Sequence, residues 1–317
     1  MKRILIIGII LILLGGVFCG AAYALGEKYV DSQLSGSSAV FSSNEVNKIY
    51  ISDIVADIKF YKSESGDIAV KAENIVESEF KCQLNGGTLE ISYNPETIKF
   101  GFISLPSFIF EPAWKTNSPV IEVYIPEGKI FDEVYFNGGL GSIETEQLNA
   151  KSLIINGGVG DYDIKNIYVE SLKIGVGMGS VKIDGIINGD TKIEGGVGDI
   201  KITGQANGNI KINAGMGNIT LNMAGNLWDY NIKADKGLGS INLNGKKMPD
   251  LIKNGGTYNI DIDAGVGSID INIGGDRITI DPGIMIPDPP EMPEMPEPAD
   301  LPDPPEEPEA IELPPMP

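Results

Sequence analysis

Two aspartates, Asp161 and Asp199, each close a Gly-Gly-Val-Gly-Asp string, Gly157–Asp161 and Gly195–Asp199, and glycine-flanked carboxylates of this kind could chelate calcium. Calcium takes about six to eight oxygen ligands, which the β-roll nonapeptide GGxGxD supplies by repeating at short intervals. Here the aspartate follows its glycine directly, the period is 19 residues, and Ser or Asn replaces Asp in most copies. A polar turn ladder fits that pattern better, with side chains bonding local backbone N–H groups. No metal and no cofactor is expected. The remaining inventory is thin: there is no histidine, and Arg277 is the one arginine beyond Arg3. A polysaccharide-processing β-helix enzyme needs carboxylates gathered with a basic residue along one groove, and the carboxylates here are scattered over the repeat, with the position-4 aspartates on non-adjacent coils. No catalytic residue is identified, and the chain is expected not to be an enzyme.

The elements that must position these residues follow from the spacing. Gly-apolar-Gly-small-polar begins at Gly139, Gly158, Gly177, Gly196 and Gly215, each 19 residues after the last, and again at Gly237 and Gly265 after gaps of 22 and 28. A period near 20 marks a solenoid whose coils stack in order. With the first glycine as position 1, apolar residues fill positions 5 and 7 (Ile200 and Ile202, for example) and 15 and 17 (Ile210 and Ile212), with Lys201 and Lys211 between them. That period-2 alternation predicts two half-buried strands per coil. The fold class is therefore all-β, a β-solenoid of about 19-residue glycine-rich coils.

Paired glycines at positions 1 and 3 (Gly139/Gly141, Gly158/Gly160, Gly177/Gly179, Gly196/Gly198, Gly215/Gly217, Gly237/Gly239 and Gly265/Gly267) are read as structural turns that tolerate positive φ. The apolar residue between them, as in Leu140, Val159, Met178 and Val197, is expected to point inward at a corner. At position 4 no two aspartates fall on neighbouring coils, which avoids like-charge repulsion between stacked strands.

The chain ends differ in composition. Ile4 to Ala24 is an uncharged apolar run of 21 residues behind Lys2 and Arg3. It is long enough to span a bilayer, and the basic residues favour a cytoplasmic N-terminus. The rival is a signal peptide cleaved after Ala22-Tyr23-Ala24. Either reading places the rest outside the cytoplasm: a single-pass cell-membrane protein, or a secreted one. Residues Pro282–Pro317 hold 14 of the 20 prolines and no basic residue, and with Asp281 eleven acidic side chains. Such a segment is expected to be disordered. The domains are thus a transmembrane anchor (1–25), a juxtamembrane linker (26–46), the solenoid (47–281) and an acidic proline-rich tail (282–317). Of two cysteines, Cys19 lies in the apolar run, and Cys82 alternates with Phe80 and Leu84 as a small core residue.

Between Asn47 and Val134 the coil is irregular, with Ile58/Phe60 and Ile68/Val70 at the offset of positions 5/7 and 15/17. Within it Phe100, Phe102, Phe108, Phe110 and Trp114 form an aromatic insertion. It reads either as a hydrophobic cap on the solenoid or as a binding surface for a bilayer or partner.

Together, the N-terminal apolar run, Val120–Glu144 (VIEVYIPEGKIFDEVYFNGGLGSIE) and the repeated GxGxI coils resemble the bacterial putative-adhesin domain family of unknown function. That family includes membrane-anchored accessory proteins of cell-envelope stress systems. The resemblance covers roughly residues 47–280 and implies the fold but transfers no catalytic residue. It implies an extracytoplasmic, membrane-anchored structural or interaction protein, adhesin-like or accessory to envelope stress. Its partners would be the membrane and a protein or cell-wall glycan, with no nucleic acid. A self-assembling β-solenoid scaffold is the alternative.

Overall fold

The computed structural model describes residues 35–95, 97–100, 103–106, 118–249, 251–253 and 255–276. The chain divides into Met1–Ile280 and Asp281–Pro317, and every described residue lies in the first unit. Apart from two short 3-10 turns the described elements are strands, and all but two strands form one continuous sheet that winds as a solenoid.

Two parallel strand ladders make up the stack. One runs β2 (Lys48–Val55), β10 (Ile130–Leu140), β12 (Leu148–Val159), the second half of β13 (Tyr162–Met178), β15 (Thr191–Val197) and β17 (Ile210–Met216). The other runs β3 (Asp57–Ser63), β11 (Ile143–Thr145), the first half of β13, β14 (Val181–Ile187), β16 (Ile200–Ala206) and β18 (Ile219–Met223). Position 5 stacks Ile143, Tyr162, Val181, Ile200 and Ile219, all 3% exposed or less. Position 17 stacks Phe136, Ile155, Ile174, Ile193 and Ile212 in the same way. Each such side chain contributes roughly 1.5–3 kcal/mol on burial, so the register is held by the alternation itself. Ile202 is buried and its neighbour Lys201 exposed, as the period-2 reading requires.

Stacking order departs from chain order at the C-terminal end. β17 pairs with β23 (Tyr258–Val266), and only then does β23 pair with β19 (Tyr230–Leu238). Likewise β18 pairs with β24 (Ile269–Ile273), which pairs with β20 (Ile241–Leu243). The expectation that coils stack in chain order fails here. Gly265 follows Gly215 by 50 residues, one 19-residue period plus 31. The coil at Gly265 is the true continuation of the array, and a 31-residue insertion forms the outermost coil. That coil carries two antiparallel strands, β21 (Lys246–Met248) on β20 and β22 (Leu251–Lys253) on β19, which pair its open edges.

The other end is closed by antiparallel pairs too. β5 (Phe80–Asn85) pairs with β6 (Thr88–Tyr93), which joins β2. β1 (Ser35–Phe41) pairs with β4 (Ile68–Ile75), which in turn pairs with β9 (Val120–Pro126), and β9 joins β3. Ile58 and Phe60 occupy positions 5 and 7 as expected, paired with Ile143 and Thr145. Ile68 and Val70 do not occupy positions 15 and 17: they sit in antiparallel β4, and Ile49 and Ile51 take those places against Val134 and Phe136. A terminal coil needs its edge covered, and the offset of ten residues could not distinguish a coil strand from a capping strand.

Because β23 and β24 lie inside the stack, truncating the chain before Thr257 should remove an internal layer and abolish cooperative thermal unfolding. Deleting residues 226–256 restores the 19-residue period and should leave a shorter solenoid that still melts cooperatively. Circular dichroism melts of both variants check this.

Candidate interaction surface

The glycine corner is where the chain departs most from simple alternation. Position 19 faces inward, not position 2: Val176, Ala214 and Ala264 are buried there. Where glycine stands at position 19 the space is already filled. A Cβ at Gly157 would run into the Tyr162 ring, and one at Gly195 would meet Ile200 Cδ1 at 3.1 Å. The residue at position 2 is consequently turned out, which corrects the inward reading. Leu140, Val159, Met178, Val197, Met216 and Val266 are 38–53% exposed, and Leu238 is 70% exposed. They stand in register on successive strands, with Val55 beside Leu140. Ten large hydrophobic side chains are exposed among the described residues, and seven of them belong to this row. Patches of that continuity mark contact surfaces.

The glycines have two distinct causes. At position 3, Gly141, Gly179, Gly198, Gly217, Gly239 and Gly267 have φ between 130° and 147°, as the turn reading required. The second cause is close approach: a Cβ at Gly198 would collide with the Gly179 carbonyl oxygen of the preceding coil, and one at Gly196 with that of Gly177. At Gly139, on the first regular coil, a Cβ would meet nothing within 4 Å.

Position 4 does carry a polar ladder, but its bonds run between coils. The Ser142 N–H donates to Asp57 Oδ1 (2.9 Å) and the Asp161 N–H to Ser142 Oγ (3.3 Å). Ser180 donates to Asp161 Oδ1 through both N–H (2.8 Å) and hydroxyl (2.9 Å). The Asn218 N–H donates to Asp199 Oδ1 (2.7 Å), and the Ser268 N–H to Asn218 Oδ1 (3.0 Å). The two Ser180 donors hold the Asp161 carboxyl below the usual range. Each aspartate thus acts as a hydrogen-bond acceptor for the next coil. Among the described residues no three His, Cys, Asp or Glu side chains converge as a metal site would require.

Outside the corner, titratable groups are dispersed. Burial raises the Cys82 thiol and the Tyr162 phenol each to about 12, the latter with a smaller contribution from the Asp161 charge. The displaced carboxylates all move down: Asp132 by Lys151, Asp161 by Ser180 and Glu194 by Lys192. A general acid working near neutrality needs the opposite shift. Of the aromatic insertion, Phe100 ends strand β7 (Thr97–Phe100), paired with β8 (Ile103–Pro106). The Phe100 side chain and residues Phe102, Phe108, Phe110 and Trp114 lie outside the described residues, as do Ile4–Ala24 and Pro282–Pro317. Among the described residues no helix is long and apolar enough to cross a membrane.

The solenoid falls within the match to one family model, that of Toastrack DUF4097, which covers residues 46–273. The chain belongs to that family. Similar solved structures include a putative cell adhesion protein from Clostridium sporogenes, 19% identical at a TM-score of 0.37, covering 76% of this chain and 100% of that one. Others are putative adhesins from Bacteroides fragilis (18% identical, TM-score 0.40, 75% and 97% covered) and Parabacteroides merdae (12% identical, TM-score 0.31, 77% and 97% covered). At such identities and TM-scores the likeness carries no argument about this chain. No curated protein matches the chain.

For this Toastrack solenoid, Gly198→Ala should cost about 3 kcal/mol or more through backbone strain and collision. Gly139→Ala should change stability by less than about 1 kcal/mol. Chemical denaturation of both variants reads the difference. The Asp161 ladder bond has a pH signature. Its carboxyl is depressed in the folded state, so its contribution is complete above the unfolded value of about 3.9 and is lost as pH falls through the folded value. Asp161→Asn keeps an acceptor oxygen without the charge. On acidification below about pH 4 the parent should therefore lose more stability than the variant, measured as the difference in melting temperature.

Proposed function

We propose that this chain is an extracytoplasmic, membrane-anchored interaction protein, adhesin-like and non-catalytic, whose working surface is the exposed apolar row of the glycine corner. The observation that carries the reading is that row itself, held in register from Val55 to Val266 and Leu238. Keeping apolar side chains in water is unfavourable, and a repeated architecture that does so coil after coil is presenting them to something. The paired ladder bonds and downward-shifted carboxylates support a display function over a reaction. Membership of the Toastrack family fits this reading, and the Ile4–Ala24 run with Lys2 and Arg3 before it supports a retained single-pass anchor.

The scaffold alternative requires end-to-end stacking through unpaired strand edges. Antiparallel strands on both ends of the described stack weigh against it.

The test uses the full chain in a bacterial host. It should fractionate with membranes, N-terminal sequencing should find residues 1–24 retained, and protease added to intact cells should remove the solenoid. A mature chain beginning at Leu25 overturns the anchor, and a solenoid protected in intact cells overturns the extracytoplasmic placement.

A further inference from the structure

Tyr50 on β2 is one of the few exposed large hydrophobic side chains that stand outside the corner row. Its ring lies parallel to that of Tyr135 on β10, with centroids 4.7 Å apart and planes within 7°. That spacing matches the separation of paired strands, ~4.8 Å. The rings therefore stack along the run of strands, and Tyr135 covers one face of Tyr50. The other face turns toward β6, where a cleft of about 280 Å³ opens. Its side chains are Tyr50 and Ser52 from β2, Glu90 and Ser92 from β6, and Lys81 and Gln83 from the outer strand β5. Glu90 stands between Tyr50 on one neighbouring strand and Gln83 on the other. Gln83 Nε2 and Asn85 Nδ2 both donate to its Oε2, at 2.8 and 2.9 Å. These two amides draw the carboxylate toward β5, away from the ring, and leave Oε1 to accept a further bond.

We propose that this cleft binds one ring of a neutral carbohydrate, stacked on the free face of Tyr50. The sugar hydroxyls meet Glu90, Gln83, Ser52 and Ser92. An aromatic face is electron-rich and attracts the C–H groups that a sugar ring gathers on one side. Sugar hydroxyls both donate and accept, and the cleft offers a fixed carboxylate, an amide and two hydroxyls to match them. An apolar platform with a few placed polar groups is how small-ligand sites fix orientation. The volume falls just below the roughly 300–1,000 Å³ of drug-sized sites, which suits a single ring unit. Lys81 and Glu90 leave the lining without net charge, so an anion would meet Glu90 and a cation Lys81. A quaternary ammonium is held by a cage of aromatic walls, and here one face of one ring is free. An added strand would pair with the edge of β5, whereas the cleft lies over the face of the sheet. The cleft shares no side chain with the apolar row, and the assignment does not depend on that row.

The full chain is held in phosphatidylcholine nanodiscs and titrated calorimetrically with cellotetraose, chitotetraose, maltotetraose and mannotetraose. At least one should bind, with an affinity that added sodium chloride leaves unchanged, because no ion pair forms. Tyr50→Ala should weaken that binding about tenfold. Tyr50→Phe keeps the ring and should stay within about twofold of the parent. Gln83→Ala, at an exposed position, should weaken binding severalfold at an unchanged melting temperature, which decides the matter even if Tyr50→Ala does not fold. Failure of all four sugars to bind overturns the assignment. Binding that survives both Tyr50→Ala and Gln83→Ala also overturns it, since the sugar then sits elsewhere. Displacement of the sugar by tetramethylammonium or glycylglycine overturns it in favour of a cationic or zwitterionic ligand.

Discussion

Everything in this fold depends on how closely one coil approaches the next at the glycine corner. There the carbonyl oxygen of one coil lies where a Cβ of the next would be, at Gly158, Gly160, Gly177 and Gly179 and onward through the array. Glycine at positions 1 and 3 is therefore a packing requirement as much as a conformational one. Close approach keeps the parallel ladders in register, aligns the isoleucine stacks, and brings each position-4 acceptor within reach of the N–H one coil away. A buried isoleucine contributes more than a ladder hydrogen bond, roughly 1.5–3 kcal/mol against about 1. The stacks therefore supply most of the stability and hold the register, and the polar ladder adds to both at the corner.

The same constraint makes the ends of the array its weak points, since an uncovered coil offers a row of unpaired backbone groups. Irregular sequence is used at both ends. At the N-terminal end β1, β4, β5, β6 and β9 enclose the first coil, and at the other a 31-residue insertion returns as an outer coil with antiparallel β21 and β22. Departures from the 19-residue period are therefore the cap.

Once the inner space of the corner is filled by residues such as Tyr162 and Ile200, position 2 has nowhere to go but outward. A row that a purely structural solenoid could have left polar is instead valine, leucine and methionine throughout.

The amino-acid sequence by itself determined the all-β class, the 19-residue coil, the buried sets at positions 5, 7, 15 and 17, and the spacing of aspartates at position 4. Each is a local periodicity, and side-chain alternation along a strand is fixed by backbone geometry. Position 2 was misread because alternation breaks at a corner, and which residue turns in depends on volume already taken by side chains five residues away or on the same strand. The direction of the Asp161 and Asp199 bonds was hidden for a related reason: their donors lie on the neighbouring coil, 19 residues on. The insertion left a numerical trace in the 50-residue gap between Gly215 and Gly265, yet a gap does not say which coil lies inside. Only the tertiary structure decided the layer order, the antiparallel caps and the exposed face, because all three follow from which backbone edges find partners across the stack.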